Sequence, residues 1–118
     1  MRLDDAIKPL AKILSFAYVG VDPSLFGIAP VPAMQKALDR AGLKLEDLEL
    51  IELNEAFAAQ AIGCMRELGI DTEHPNEVGS GISLGHPIGC TGARQMVSAM
   101  NLMKRKDYRT GLITMCIG

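Results

Sequence analysis

Apolar residues recur at helical spacing in separate segments of this 118-residue chain. The first helix is predicted to start at Pro32, because proline suits the first turn of a helix, and to end before Gly42. The second is predicted to follow Asn54 and to run to Leu68, ahead of a glycine stop at Gly69. These two helices are bounded by residues that start and stop helices for known stereochemical reasons.

A third helix is predicted from about Gly92 to Arg105. Each helix is expected to bury the face that carries its apolar residues. In chain order, the expected faces are Met34, Ala37, Leu38 and Ala41, then Phe57, Ala61, Met65 and Leu68, then Ala93, Met96, Val97 and Met100.

Other segments have the pattern of strands. Residues 11–21 are rich in Ile, Phe, Tyr and Val, and residues 111–117 form an apolar run typical of a buried strand. Residues 48–53 alternate apolar residues with Glu49 and Glu52. The alternation of strands and helices along the chain predicts an α/β domain in which helices cover a sheet.

Composition excludes two classes of partner. Hydrophobic residues make up 48% and charged residues 22%, which is typical of a globular protein. The net charge is −2, and the run Lys104 to Lys106 falls where a helix is predicted to end, so no nucleic-acid partner is expected. No apolar run approaches the length of a membrane span, so no membrane partner is expected either.

The cysteines point to a reducing compartment. Cys64, Cys90 and Cys116 lie far apart and form no CxxC pair, so neither a disulfide framework nor a metal site is expected. Acidic residues follow Met1 where a signal peptide would be apolar. We therefore expect a cytoplasmic protein.

The first stretch with candidate chemistry is Asn54–Ala58, at a predicted junction of strand and helix. The side chain of Asn54 could cap the helix by accepting from one of its free amides. Alternatively, it points into a cleft at the edge of the sheet and holds a water or an oxyanion.

The second stretch is the glycine-rich segment Gly81–Arg94, which contains His86. Gly85 and Pro87 set the backbone around this histidine tightly, and glycine lets a ligand approach closely. An imidazole can bind or release a proton near neutral pH. A turn histidine with one structural hydrogen bond is the simpler alternative, but the density of glycines favours a catalytic role. His74 lacks this context and is expected to be an ordinary loop residue.

The third stretch, Met115–Gly118, contains Cys116 at the end of a predicted strand. A thiol there is more often a small core residue than a catalyst. Ligands of α/β sheets, however, gather beyond the carboxyl ends of parallel strands. Cys90 precedes a helix, where a thiol can be reactive, although packing against the glycine turn is the preferred interpretation. Cys64 is expected in the core.

In this order, the three stretches resemble the C-terminal signatures of the thiolase family. The resemblance covers essentially all of residues 1–118, and a Gly-His-Pro sequence separates thiolases from the related ketoacyl synthases, which typically carry Gly-His-Thr. It implies a thiolase C-terminal domain with a mixed sheet and helices on its faces. The matching sequences are Asn54-Glu55-Ala56-Phe57, Gly85-His86-Pro87-Ile88-Gly89-Cys90-Thr91-Gly92-Ala93-Arg94 and Cys116-Ile117-Gly118.

The resemblance implies acyl transfer and Claisen condensation of acyl-CoA thioesters, or the reverse thiolysis. His86 would activate a nucleophilic cysteine and, with a water held by Asn54, would bind the thioester oxygen. Cys116 would remove a proton from a second acetyl-CoA. The N–H of Gly118 would belong to an oxyanion hole for the acyl-enzyme.

The resemblance also implies partners. Ala56 and Phe57 would lie against the pantetheine arm of coenzyme A, which enters as a substrate thioester with no other cofactor. The nucleophilic cysteine belongs to the family's N-terminal half, and the closing strand of the sheet would follow Gly118. This chain alone is therefore expected to be inactive, and the complete enzyme is expected to be a homo-oligomer.

One feature departs from the family pattern, and one alternative function stays open. Val78 stands where the family often has a second asparagine, which affects a loop contact rather than the catalytic set. A non-catalytic thiolase-like module, or the remnant of a truncated gene, that binds acyl-CoA or a protein is the alternative function.

Overall fold

The structure, a computed structural model, describes residues 8–117. No helix in that range is long and apolar enough to cross a membrane. Short 3-10 turns occupy Pro23–Ile28 and Leu45–Asp47. The α-helices and strands are α1, Pro30–Ala41; β1, Leu50–Leu53; α2, Ala58–Leu68; α3, Gly81–Leu84; α4, Thr91–Lys106; and β2, Gly111–Thr114.

The two strands form a parallel pair, with Leu50 opposite Gly111 and Leu53 opposite Thr114. Both strands are shorter than predicted, since the ladder covers only four residues of each. The α/β class is confirmed, and the mixed sheet that was expected is represented in residues 8–117 by this one parallel pair. Because the strands run in the same direction, their carboxyl ends lie at the same edge of the sheet.

Helices cover both faces of this sheet. On one face, α1 and α2 pack over a buried cluster that includes Met34, Ile51, Leu53 and Met65. On the other face, Leu50 packs against Ala99 and Leu102 of α4. Successive side chains of a strand point to opposite faces, so Glu52 shares the α4 side with Leu50.

The two predicted glycine stops are confirmed. Gly42 and Gly69 follow α1 and α2 with φ of +67° in both cases, a left-handed conformation that is costly for other residues. The start of α2 differs from the prediction: it begins at Ala58, and the N–H of Asn54 instead donates to the Thr114 carbonyl beyond the end of β1. Phe57, expected on the buried face of α2, is 63% exposed.

The buried face of α4 was predicted wrongly. Ala93 and Val97 are exposed, whereas the helix turns Thr91, Gln95, Ala99 and Leu102 inward. Two of these buried side chains are polar and form hydrogen bonds inside the domain, through the hydroxyl of Thr91 and the amide nitrogen of Gln95, so apolar spacing alone selected the wrong face. As a result, α4 presents a second, exposed side that is also apolar.

The strand predicted over residues 11–21 is also absent from the sheet. This segment runs beside α1, where the hydroxyl of Ser15 donates to the Ala37 carbonyl and the Arg40 guanidinium donates to the Phe16 carbonyl. A groove of about 360 Å3, lined in part by residues 11–17 and Gly111–Thr114, separates it from β2. Backbone ladder bonds cannot form across a gap of this kind, so residues 11–21 do not pair with β2 in spite of their strand-like composition.

We predict that the 118-residue chain self-associates, because several large apolar side chains beside the groove are open to water. Ile13 and Phe16 are both 72% exposed. The double variant Ile13→Ser, Phe16→Ser should have a lower average mass in concentration-dependent light scattering. The control is Ile88→Ser, which removes a side chain that is 85% exposed on the glycine-rich segment and should leave the mass unchanged. A monodisperse monomer for the parent chain would contradict the prediction.

Candidate active site

Asn54 and Cys116 leave the sheet at the same edge. Asn54 directly follows β1, has no exposed surface, and extends the ladder through its N–H, which lies 3.0 Å from the Thr114 carbonyl oxygen. Cys116 lies two residues beyond the end of β2 and is 9% exposed. Asn54 does not cap α2, so the capping interpretation is wrong.

Asn76 fixes the loop that leads into the glycine-rich segment against β1. Its N–H donates to the Ile51 carbonyl at 2.9 Å, and its side-chain amide pairs with both the N–H and the carbonyl of Leu53, at 2.9 and 2.8 Å. Asn76 has a positive φ of 61°, a conformation that asparagine adopts more readily than most residues. Sequence reasoning missed this role, although an asparagine ahead of a glycine cluster was the available signal.

Further contacts attach the glycine-rich segment to the residues that follow β1. The hydroxyl of Ser80 donates to the Leu53 carbonyl at 3.2 Å, and the carboxylate of Glu55 accepts from the N–H of Ile82 at 3.1 Å. At Gly81, an added Cβ would lie 2.6 Å from the Glu55 carbonyl oxygen and 3.0 Å from Oδ1 of Asn54. Only glycine therefore allows this close approach.

His86 is brought to Asn54 by these contacts. Its Nδ1 lies 3.4 Å from Nδ2 of Asn54 and 2.7 Å from Oγ1 of Thr91, and the ring is half-buried. Two of the predicted site residues are thus in direct contact, and His86 has two polar neighbours rather than the single structural bond of the simpler alternative. Thr91 is a site residue that sequence reasoning did not single out.

The contacts of the Thr91 hydroxyl favour one tautomer of His86. Its oxygen also lies 3.1 Å from the carbonyl of Pro87, which can only accept. If the single hydroxyl proton goes to that carbonyl, the oxygen must accept from Nδ1–H of His86, and Nδ2 of Asn54 at 3.4 Å is then a neighbour of Nδ1 rather than its hydrogen-bond donor. Nε2 of the neutral ring is then left with a free lone pair, which is the state of the ring that can act as a base.

The three cysteines have different surroundings. Cys64 is buried in α2, and burial, together with the nearby thiol of Cys116, raises the pKa of Cys64, whereas a hydrogen bond from Gln60 lowers it. The core position predicted for Cys64 is confirmed. Cys90 is exposed, so the expectation that it packs against the glycine turn is wrong. Cys116 makes no hydrogen bond to Asn54 or His86 within residues 8–117, although it lies at their edge of the sheet.

The remaining candidate residues lie around this edge or outside the described range. Ala56 is half-buried and Phe57 is largely exposed just before α2. Gly118 falls outside residues 8–117. His74 is exposed in a turn. Among the residues whose placement is described, no group of three His, Cys, Asp or Glu side chains could hold a metal ion.

A family model of the thiolase C-terminal domain matches residues 7–118. The chain belongs to the thiolase family. It is 55% identical over 115 residues to a 3-ketoacyl-CoA thiolase of Yersinia enterocolitica and 54% identical over 112 residues to the beta-ketothiolase BktB of Cupriavidus necator. These matches cover 95% of this chain but only 30% and 28% of those relatives, so the chain spans just under a third of their length.

A solved thiolase structure has the same fold. The chain superimposes on the acetyl-CoA acetyltransferase of Bacillus anthracis with a TM-score of 0.93 and 46% identity. The match covers 98% of this chain and 29% of the Bacillus enzyme. The arrangement of Asn54, His86 and Cys116 therefore lies within a thiolase fold, and the greater part of such an enzyme lies outside the matched segment.

We predict that Gly81→Ala destabilises the domain by about 1–3 kcal/mol, because the added methyl group overlaps the Glu55 carbonyl. The same methyl group should push Asn54 away from His86. The matched control is Gly89→Ala, since nothing lies within 4 Å of a Cβ at that position. Urea unfolding of both variants tests this, and equal free energies of unfolding for the two would contradict it.

We predict that Thr91→Val shifts His86 from the Nδ1–H tautomer towards the Nε2–H tautomer, because valine keeps the shape of threonine but cannot accept from Nδ1–H. The 15N chemical shifts of the imidazole in the 118-residue chain report the tautomer. Thr91→Ser retains the hydroxyl and should keep the parent shifts. Unchanged shifts in Thr91→Val would show that the hydroxyl does not select the tautomer.

Proposed function

We propose that this chain supplies the C-terminal catalytic residues of a thiolase, which condenses two acetyl-CoA molecules to acetoacetyl-CoA and CoA, or runs the reverse thiolysis of 3-ketoacyl-CoA. The observation that carries the proposal is the buried Asn54 in contact with His86, at the edge of the sheet where Cys116 also lies. The names of the similar proteins support it.

In the first stage, Nε2 of His86 accepts the proton of a nucleophilic cysteine thiol. That cysteine belongs to the N-terminal part of the enzyme, outside this chain, and an adjacent base is the usual way to activate such a thiol. The thiolate attacks the thioester carbon, the new C–S bond forms, and coenzyme A leaves as a thiol with the proton from His86. Asn54 contributes by holding a water that, with His86, donates to the thioester oxygen.

In the second stage, Cys116 acts as a base towards another acetyl-CoA. Cys116 first gives its thiol proton to Nε2 of His86, and the resulting thiolate takes a proton from the methyl carbon. The enolate carbon attacks the acyl-enzyme, and the nucleophilic cysteine leaves as a thiolate that takes up the proton from Nε2 of His86. Because a carbon acid next to a thioester is weak, the enolate oxygen needs preorganised donors, and losing one typically costs about 3 kcal/mol of barrier. We assign these donors to Nε2–H of His86, protonated by Cys116, and to the water at Asn54.

The remaining contacts are proposed around the substrate. Coenzyme A enters as the thioester, and the proposal needs no other cofactor. The exposed ring of Phe57 and the neighbouring Ala56 are available to the pantetheine arm. The N–H of Gly118 would donate to the acyl-enzyme carbonyl. An N-terminal thiolase part is a required partner, and we propose a homo-oligomer for the complete enzyme.

The proposal is tested in a chimeric enzyme in which residues 1–118 replace the matching segment of the Bacillus anthracis acetyltransferase. The chimera should cleave acetoacetyl-CoA with coenzyme A, and the 118-residue chain alone should not. His86→Ala should lower kcat of the chimera by roughly 1000-fold or more, because both the base and an oxyanion donor are lost. The matched control, His74→Ala, removes the exposed histidine and should leave the rate unchanged.

A second arm of the experiment separates the two stages. Cys116→Ser in the chimera should abolish exchange of the acetyl methyl protons with heavy water, while acyl transfer to the nucleophile continues, because a serine hydroxyl is a far weaker acid than a thiol. Surviving exchange would remove Cys116 as the base. An inactive chimera that still binds acyl-CoA would instead favour the non-catalytic module.

A further inference from the structure

A buried ion pair lies beside the candidate active site. Glu52 is the third residue of β1 and its side chain has no exposed surface, whereas the side chain of Arg94 on α4 is 19% exposed. Nη1 of Arg94 lies 3.7 Å from Oε2 of Glu52. Burial raises the pKa of Glu52, while the charge of Arg94 lowers it and that of Glu55 raises it.

This pair is poorly satisfied as a stabilising contact. A separation of 3.7 Å is too long for a hydrogen bond. Within residues 8–117, neither carboxylate oxygen of Glu52 and none of the three guanidinium nitrogens of Arg94 has a hydrogen-bond partner. Replacing a buried ion pair by apolar residues of similar volume is often neutral or stabilising. Stability therefore does not explain why charges occupy these two positions.

The location of the pair suggests a different role. Glu52 lies two residues before Asn54 on β1, and Arg94 lies three residues after Thr91 on α4. The two residues that contact Nδ1 of His86 are thus Asn54, which directly follows β1, and Thr91, which begins α4, and the ion pair joins these two elements. Gln95 strengthens the same junction, because its amide nitrogen donates to the Glu52 carbonyl at 3.2 Å and to the Thr114 carbonyl at 3.3 Å.

We propose that Glu52 and Arg94 are positioning residues that set the distance between Asn54 and Thr91 and thereby hold the imidazole of His86 in its reactive orientation. An apolar contact is non-directional and tolerates a small slide of α4 along the sheet. A buried charge pair does not, because a slide leaves each charge unpaired in a low-dielectric environment. The inference rests on the catalytic role proposed for His86.

The decisive variant is Glu52→Leu, Arg94→Met, which keeps the volume of the pair and removes both charges. In the 118-residue chain, the urea midpoint should be maintained or raised, while the 15N shifts of the His86 imidazole change. In the chimeric enzyme, kcat should fall by about 100-fold with little change in KM, since a small misplacement of a reacting group is enough to cause such a loss.

The matched control removes a surface ion pair that joins α4 to a loop residue. Nζ of Lys106 lies 3.1 Å from Oε2 of Glu77, and the side chains are 50% and 24% exposed. Glu77→Leu, Lys106→Met should keep the parent kcat and the parent His86 shifts. A loss of kcat equal to that of the buried double variant would show that the effect is not specific to the buried pair, and would overturn the proposal.

A conservative variant keeps the proposal testable if the apolar pair prevents folding. Arg94→Lys retains a positive charge opposite Glu52 and should keep most of kcat, whereas Arg94→Met should lose it. Equal losses in these two variants, or parent kcat and parent His86 shifts in the apolar double variant, would overturn the proposal. A failure of the proposed function is recognised separately, because His86→Ala would then leave kcat of the chimera unchanged.

Discussion

The parallel pairing of β1 with β2 is the constraint on which the candidate active site depends. Its register places Leu53 opposite Thr114, so the chain leaves both strands at the same edge of the sheet. Asn54 continues the ladder by donating to the Thr114 carbonyl, and Cys116 follows two residues beyond that point. An antiparallel pair would carry Cys116 to the opposite edge. Strand direction, more than any single side chain, therefore brings the candidate chemistry together.

Beyond the end of this short ladder, side-chain hydrogen bonds hold the neighbouring segment against β1. Asn76 bonds to the backbone of Leu53 as a neighbouring strand would, and Ser80 donates to the same carbonyl. Buried polar groups are costly unless they are paired, so these contacts restrict the glycine-rich segment to one path. The absence of a side chain at Gly81 then lets that path pass close to Asn54. His86 reaches Asn54 because of this sequence of contacts.

The sequence predicted the parts that depend on local signals. Gly42 and Gly69 ended two helices as expected, and the context of His86 among glycines pointed to the candidate site. It could not show that residues 11–21 lack a neighbouring strand, since strand propensity does not reveal the distance to a partner. Thr91 and Asn76 escaped notice for a similar reason: their roles arise from contacts with residues that only the fold brings near. Whether Cys116 and Gly118 act as the resemblance implies stays a prediction.

The facing surfaces of β1 and α4 change polarity in the same direction. Along β1 and just beyond it, the side chains on this face run from Leu50 through Glu52 to Asn54. The side chains of α4 that face them change in the same order, from aliphatic to charged and amide groups and then to a hydroxyl: Leu102 and Ala99, Gln95 and Arg94, and Thr91. Sliding α4 by one turn would set charged and amide groups against aliphatic ones and leave them unpaired, which is costly in a low-dielectric interior. The matched gradients therefore fix the register of helix and strand, and the same register places Thr91 and Asn54 on either side of His86.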